Sequence, residues 1–281
     1  VMTDAVTKLW EPSPERAGSA QITAFMAKVN AGLGAGVRDY DSLWQWSVDQ
    51  PEAFWAALWD FTGVIGAKGA TVLADPTAMP GARYFPDGQV NFAENLLRRS
   101  GNGDAMVFWG EDQVKLRYSW DQVRAQVAKL AAALKADGVG PGDRVAAFMP
   151  NMPQTVIAML AATSLGAVWS SCSPDFGVQG VLDRFGQIEP TVLVAVEGYF
   201  YGSRSHDIRA KVADVVDQLP TLRRVVVVPY TTPSPDLSGI RDATLWDAYL
   251  GDGPAPDLAF QPMAFNDPLY IMFSSGTTGV P

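Results

Sequence analysis

The sequence predicts an α/β fold: a helix-rich N-terminal region, then a mostly parallel sheet with helices on both faces. Three observations carry that prediction. From about Asp104 onward, short apolar runs alternate with longer segments of helical periodicity, so strands are joined through helices and pair in parallel. The first hundred residues lack this alternation and are instead helical and aromatic. The composition, 48% apolar and 18% charged over 281 residues, is that of a globular chain with a sizeable core. The domain division expected is 1–103, packing on the main domain, and 104–281.

Within the first region, Asp41–Val64 holds Trp44, Trp46, Trp55 and Trp59. Ser47–Pro51 divides it into two helices, with Pro51 in the first turn of the second. Phe54, Trp55, Leu58, Trp59 and Phe61 recur at helical spacing and are read as core. Asn91–Arg99 is a short helix capped by Asn91, with Glu94 three residues on. Ala105–Trp109 and Val114–Tyr118 form a hairpin around G-E-D-Q. Ser119 and Gln122 make a capping box for a helix whose buried face is Val123, Val127, Leu130, Ala131 and Leu134, and which Gly138 ends. Strands follow at Asp143–Met149, Ala167–Ser171, Thr191–Val196 and Arg224–Val228. Helices are expected at Gln154–Leu165, Gln179–Gln187 and Asp207–Gln218. Pro229–Gly239 and Gly251–Pro268 are loops flanking a short helix, Leu245–Leu250.

Charge and cysteine content exclude several functions. A net charge of −9 with no basic stripe argues against nucleic acid as a partner. The single cysteine, Cys172, rules out an internal disulfide framework, fits a reducing, cytoplasmic compartment, and reads as a small buried residue. The lone histidine, His206, is placed on the surface in the opening turn of a helix. No apolar segment approaches the roughly 20 residues of a membrane span, because Pro150, Asn151 and Pro153 break the charge-free run Val145–Pro174. No signal peptide is visible, so a soluble protein is expected. The glycine strings at 32–36 and 138–142 do not join strand to helix as a dinucleotide fingerprint must, which disfavours an NAD or sugar-nucleotide domain.

The chemistry concentrates in Tyr270–Pro281, Y-I-M-F-S-S-G-T-T-G-V-P. Tyr270–Phe273 suits a buried strand end. Ser274, Ser275, Gly276, Thr277, Thr278 and Gly279 then supply four hydroxyls and two glycines. Glycine allows close backbone approach and lets successive N–H groups converge on an anion, and the hydroxyls add rotatable donors for phosphate oxygens. A plain turn is the competing reading of such a cluster. It is no Walker loop, since G-x-x-x-x-G-K-[ST] is absent.

F-S-S-G-T-T-G-V-P resembles the signature phosphate loop of the adenylate-forming superfamily, normally continued by a lysine. Further strings extend the resemblance over nearly the whole chain. Leu9–Arg16 and Phe85–Leu97 are similar to the N-terminal region of the acetyl-CoA synthetase branch, and Gly142–Pro153 to the superfamily in general. Trp169–Gly177 (W-S-S-C-S-P-D-F-G) and Val181–Pro190 point, within the acyl-CoA synthetases, to acetoacetate as the acid. The resemblance implies a ligase that uses ATP with Mg²⁺ to activate the acid as an acyl-adenylate and passes the acyl group to coenzyme A. It implies that Ser274–Gly279 grip the β- and γ-phosphates. It places Arg124 where a CoA-phosphate contact occurs, although an exposed arginine on an amphipathic helix is an equal reading of that residue. It also implies that the catalytic lysine, the acidic Mg²⁺ ligand and the acyl pocket lie past Pro281. No catalytic residue is therefore assigned here, no metal ligand is identified, and the chain alone is expected to catalyse neither half-reaction. Another short-chain acyl-CoA synthetase, or a non-catalytic nucleotide-binding fragment, are the alternatives.

Overall fold

The computed structural model describes residues 8–111 and 113–274. The chain divides into two compact units, Val1–Gly88 and Gln89–Pro281.

In the first unit, α1 (Pro14–Gly18), α2 (Gln21–Leu33), α3 (Tyr40–Asp49) and α4 (Pro51–Thr62) precede three two-residue strands, β1 (Gly66–Ala67), β2 (Leu73–Ala74) and β3 (Arg83–Tyr84). Pro51 opens α4 as expected, where its missing N–H costs nothing. Asp39 caps α3 through the amide of Ser42, 2.9 Å away. The aromatic stripe packs as core: Phe25 meets Phe54 edge-on at 5.8 Å and Phe61 at 5.2 Å. Trp59 is buried against Phe85, whereas Trp55 is 38% exposed and Trp44 55%.

The second unit begins with β4 (Gln89–Val90) and α5 (Phe92–Leu96). Residues 89–103 thus group with the second unit, held there by bonds to distant parts of the chain. The Asn91 side chain is 2% exposed and donates to the carbonyls of Thr163, Ser164 and Gln261 at 3.0, 3.2 and 2.8 Å. Its Oδ1 accepts from the Glu94 amide, the cap read from the sequence. β5 (Asp104–Gly110) and β6 (Val114–Ser119) form the expected antiparallel hairpin. Ser119 and Gln122 make the capping box of α6 (Trp120–Ala136), and Gly138 turns the chain out of it at φ 83°.

The parallel sheet is built by β7 (Arg144–Phe148), α7 (Pro153–Ser164), β8 (Val168–Cys172), α8 (Val178–Ile188) and β9 (Val192–Val196). The hairpin β10 (Gly198–Tyr201) and β11 (Arg204–Asp207), α9 (Arg209–Asp217), β12 (Arg224–Val228) and β13 (Ala243–Leu245) complete it. α10 (Trp246–Leu250) and β14 (Met263–Ala264) follow, the latter antiparallel to β4. Strand order is β13-β12-β9-β7-β8, with all four pairings parallel. Counted from β7, this is a doubly wound 2-1-3-4-5 order. The chain steps from β7 to β8 in one direction and from β8 to β9 in the other, so right-handed crossovers place α7 and α8 on opposite faces. The predicted fold class is therefore realised. α7 is apolar nearly all round because it lies between the sheet and α6. β9 and β12 are covered on both faces and read as continuous apolar runs.

One prediction is corrected. His206 lies in β11, where its ring stacks on Tyr199 at 5.0 Å, and it does not open a helix. The helix begins only at Arg209, after Asp207 has accepted from the Arg209 amide.

Candidate nucleotide-binding site

β8 is the outer strand of the sheet, and the chain returns beside it just before the glycine-rich string. Tyr270 pairs in parallel with Trp169. The Trp169 amide donates to the Leu269 carbonyl at 3.0 Å, and the Ile271 amide donates to Trp169 at 2.9 Å. Ser170, 1% exposed, adds a bond from its hydroxyl to the Ile271 carbonyl at 2.8 Å. Tyr270 is fixed from the side by Phe92, edge-on at 5.7 Å, and by its hydroxyl donating to Met159 Sδ at 3.3 Å. Burial pushes the Tyr270 phenol above its usual range, so it stays protonated. The expected final strand is thus reduced to one bridge, made where Ser170 and Tyr270 supply side-chain anchors.

Because this segment runs parallel to β8, it exits at the carboxyl end of the sheet, where α/β folds place ligands. Ser274 is the last described residue there and is exposed. The remaining predicted phosphate-loop residues, Ser275, Gly276, Thr277, Thr278 and Gly279, lie outside the described residues. Nearby, β8 ends in Cys172 and the turn 173–177. Cys172 is 5% exposed, and burial pushes its thiol up to about 11 against a smaller opposing effect of the Arg184 charge. It is the buried structural cysteine the sequence suggested, since a protonated thiol is a poor nucleophile. Ser173 donates to the Asp175 carboxylate within the turn, and Lys211 Nζ donates to the Pro174 carbonyl at 2.9 Å.

Arg124 sits on α6, half-buried, with its guanidinium donating to the carbonyl of Leu97. It ties α6 to the end of α5 and makes no bond to the 270–274 segment. Two residues near the carboxyl end of the sheet escaped the sequence reading. One is Arg184 on α8, whose guanidinium lies 4.5 Å from the Phe176 ring and 5.8 Å from that of Phe273. The other is Glu197, 2% exposed at the carboxyl end of β9. Its carboxylate accepts the amides of Tyr230, Thr231 and Thr232 at 2.7, 2.5 and 2.6 Å, and the Thr231 hydroxyl at 2.9 Å. An acid directly after five apolar strand residues was the available signal. Its lone pairs are taken by the chain's own donors, so it braces the sheet end. Among the described residues, no three His, Cys, Asp or Glu side chains are grouped to hold a metal, and no helix is long and apolar enough to cross a membrane.

A parallel sheet with helices on both faces, whose outer strand is joined by the segment that ends at the exposed Ser274, defines a doubly wound α/β class of domain. The particular family is given by comparison with known proteins: the chain belongs to the AMP-binding enzyme family, whose model matches residues 93–281. A model described as the acetyl-coenzyme A synthetase N-terminus matches residues 40–96. The chain is 48% identical over 277 residues to the acetoacetyl-coenzyme A synthetase of Rhizobium meliloti, a match covering 97% of this chain and 42% of that protein. It is 34% identical over 288 residues to a malonamoyl-CoA synthetase of Penicillium aethiopicum, covering 97% of this chain and 39% of the relative. In structure it resembles the acetoacetyl-CoA synthetase of Streptomyces lividans, with TM-score 0.90 and 41% identity over 98% of this chain and 42% of that one. The chain thus spans less than half the length of these relatives.

Proposed function

We propose that this chain is part of an ATP-dependent, AMP-forming acid–thiol ligase that activates acetoacetate and transfers it to coenzyme A. The observation that carries the acid is the relatives' order: acetoacetyl-CoA synthetases at 37–48% identity stand above the malonamoyl enzyme at 34%. In the first step the acetoacetate carboxylate attacks the α-phosphorus of ATP and pyrophosphate leaves, giving acetoacetyl-adenylate. In the second the CoA thiol attacks the acyl carbon and AMP leaves with the C–O electron pair.

An anionic carboxylate must here approach a polyanion, so orienting and neutralising the phosphates lowers the barrier most. In this reading the Ser274–Gly279 hydroxyls and backbone N–H groups donate to the β- and γ-phosphate oxygens, held where the anchored 269–273 segment delivers them. Mg²⁺ accompanies ATP as a charge-neutralising partner, and no described residue is assigned to it. Arg124 is kept as a contact for a CoA phosphate, for which its guanidinium would have to leave the Leu97 carbonyl or share it.

The test is ATP–pyrophosphate exchange by the protein from the full reading frame that encodes this chain, with acetoacetate, acetate and butyrate. Fastest exchange with acetoacetate supports the reading. Faster exchange with acetate moves the assignment to another short-chain ligase. No exchange with any acid removes the ligase assignment.

A further inference from the structure

Arg184 is half-buried on α8, and among the described residues no carboxylate pairs with it, as is also true of Arg124 and Arg144. Unlike those two, it faces two aromatic rings. Among the described residues, its hydrogen bond from Nη1 to the Gly180 carbonyl at 2.7 Å fixes it to its own helix. That helix is in turn fixed by Val181, Phe185 and Ile188 in the core. The rest of the guanidinium is spent on two ring faces. Phe176 comes from the turn that ends β8, and Phe273 from the segment that leads into the glycine-rich string. Gly180 completes the arrangement, since a Cβ there would lie 3.3 Å from the Phe176 ring. A guanidinium is planar and weakly hydrated, so it can lie over two rings at once, which a lysine ammonium does less well.

Upstream, Ser170 and Trp169 hold residues 269–271 on β8. Met272 is 84% exposed and has no such support. Among the described residues, the ring of Phe273 is therefore the last attachment before Ser274. We infer that Arg184 is a positioning residue for the ATP-phosphate loop, clamping its root at Phe273 against Phe176. This rests on the ligase reading above. It is distinct from it, because the clamp involves neither the loop's own donors nor any substrate contact. A group displaced by about an ångström loses much of its catalytic benefit, so the effect should fall on the step that uses the phosphates.

The experiment compares Arg184→Ala, Arg184→Lys and Phe273→Leu with wild type in the full-length protein, assaying the two half-reactions separately. The expected result is a rise of about tenfold in KM for MgATP in ATP–pyrophosphate exchange for Arg184→Ala and Phe273→Leu, with partial recovery in Arg184→Lys. Thioester formation from supplied acyl-adenylate and CoA should stay at the wild-type rate. Equal losses in both half-reactions, or no change in either, would overturn the inference. If wild type exchanges with no acid, the ligase reading fails on its own, and hydrogen exchange decides the clamp. Arg184→Ala should then speed exchange of peptide 270–274 about tenfold while β12 stays protected. Wild-type exchange in that peptide would overturn it.

Discussion

The interior and one edge of the same parallel sheet use their residues differently. Every residue of β9 is buried, and the polar groups at the ends of the inner strands bind other parts of the chain. Glu197 gathers the 230–232 amides. At the other end Arg224 of β12 meets Asp137 at 2.9 Å, and Tyr249 of α10 donates to the same carboxylate at 2.9 Å, joining the end of α6 to the sheet. β8 is built otherwise. It carries two serines, and its free side is taken by a segment that forms a single bridge before turning outward. The difference teaches how the two parts are held: polar groups at the ends of the inner strands are satisfied by the chain itself, whereas the outer edge carries a segment that runs out to an exposed Ser274.

The comparison breaks most visibly at the loop. Replacing Thr277 and Thr278 together by alanine in the full-length protein should lower ATP–pyrophosphate exchange by roughly 10²–10³-fold with no change in thermal stability, the scale set by losing aligned donors. A fall in stability instead would place the string in the scaffold.

The interior should answer in the opposite sense. Glu197→Ala leaves three amides and a hydroxyl without their acceptor and should cost about 3 kcal/mol or more in urea unfolding. A loss below about 1 kcal/mol would show that water replaces the carboxylate, as happens for exposed groups.

The smallest effect is a pH dependence. The hydrogen bonds from Arg224 hold the Asp137 carboxyl below its ordinary 3.8, against partial desolvation. A depressed folded-state pKa means that the unfolded chain binds the proton more readily. The pair's contribution is thus present above pH 3.8 and is lost as pH falls below it. Asp137→Asn should flatten the acid limb of a stability–pH curve between pH 2 and 4, relative to wild type; an unchanged limb would remove Asp137 from the account.

Much of the fold could be read from residue pattern alone. α6 was legible from both ends, because Ser119, Gln122 and Gly138 act locally and nothing in the tertiary structure opposes them. The inner strands were legible because burial on both faces demands continuous apolar runs. The β10–β11 hairpin was not. Its turn is Gly202–Ser203, with φ of 59° and 61°, the mirror-image turn that matches strand twist. A serine at positive φ hides that signal, and Glu111 helps hold it by accepting the Gly202 and Ser203 amides at 3.1 and 2.9 Å. The grouping of residues 89–103 depended on Asn91 reaching carbonyls 72–170 residues away, which no local pattern announces. At the site, the glycine-rich string was visible as chemistry. Its attachment through Ser170, Tyr270 and Arg184 was not, because each partner comes from a different element.

The central claim is that the outer edge of the sheet is the nucleotide-phosphate end, with the interior as scaffold. Hydrogen exchange of the full-length protein with and without MgATP tests it most directly. The account predicts added protection in peptides covering 269–281 and the end of β8, with β9 and β12 unchanged. Protection centred on the β9 end and the 230–232 turn, or none near residue 274, would contradict it.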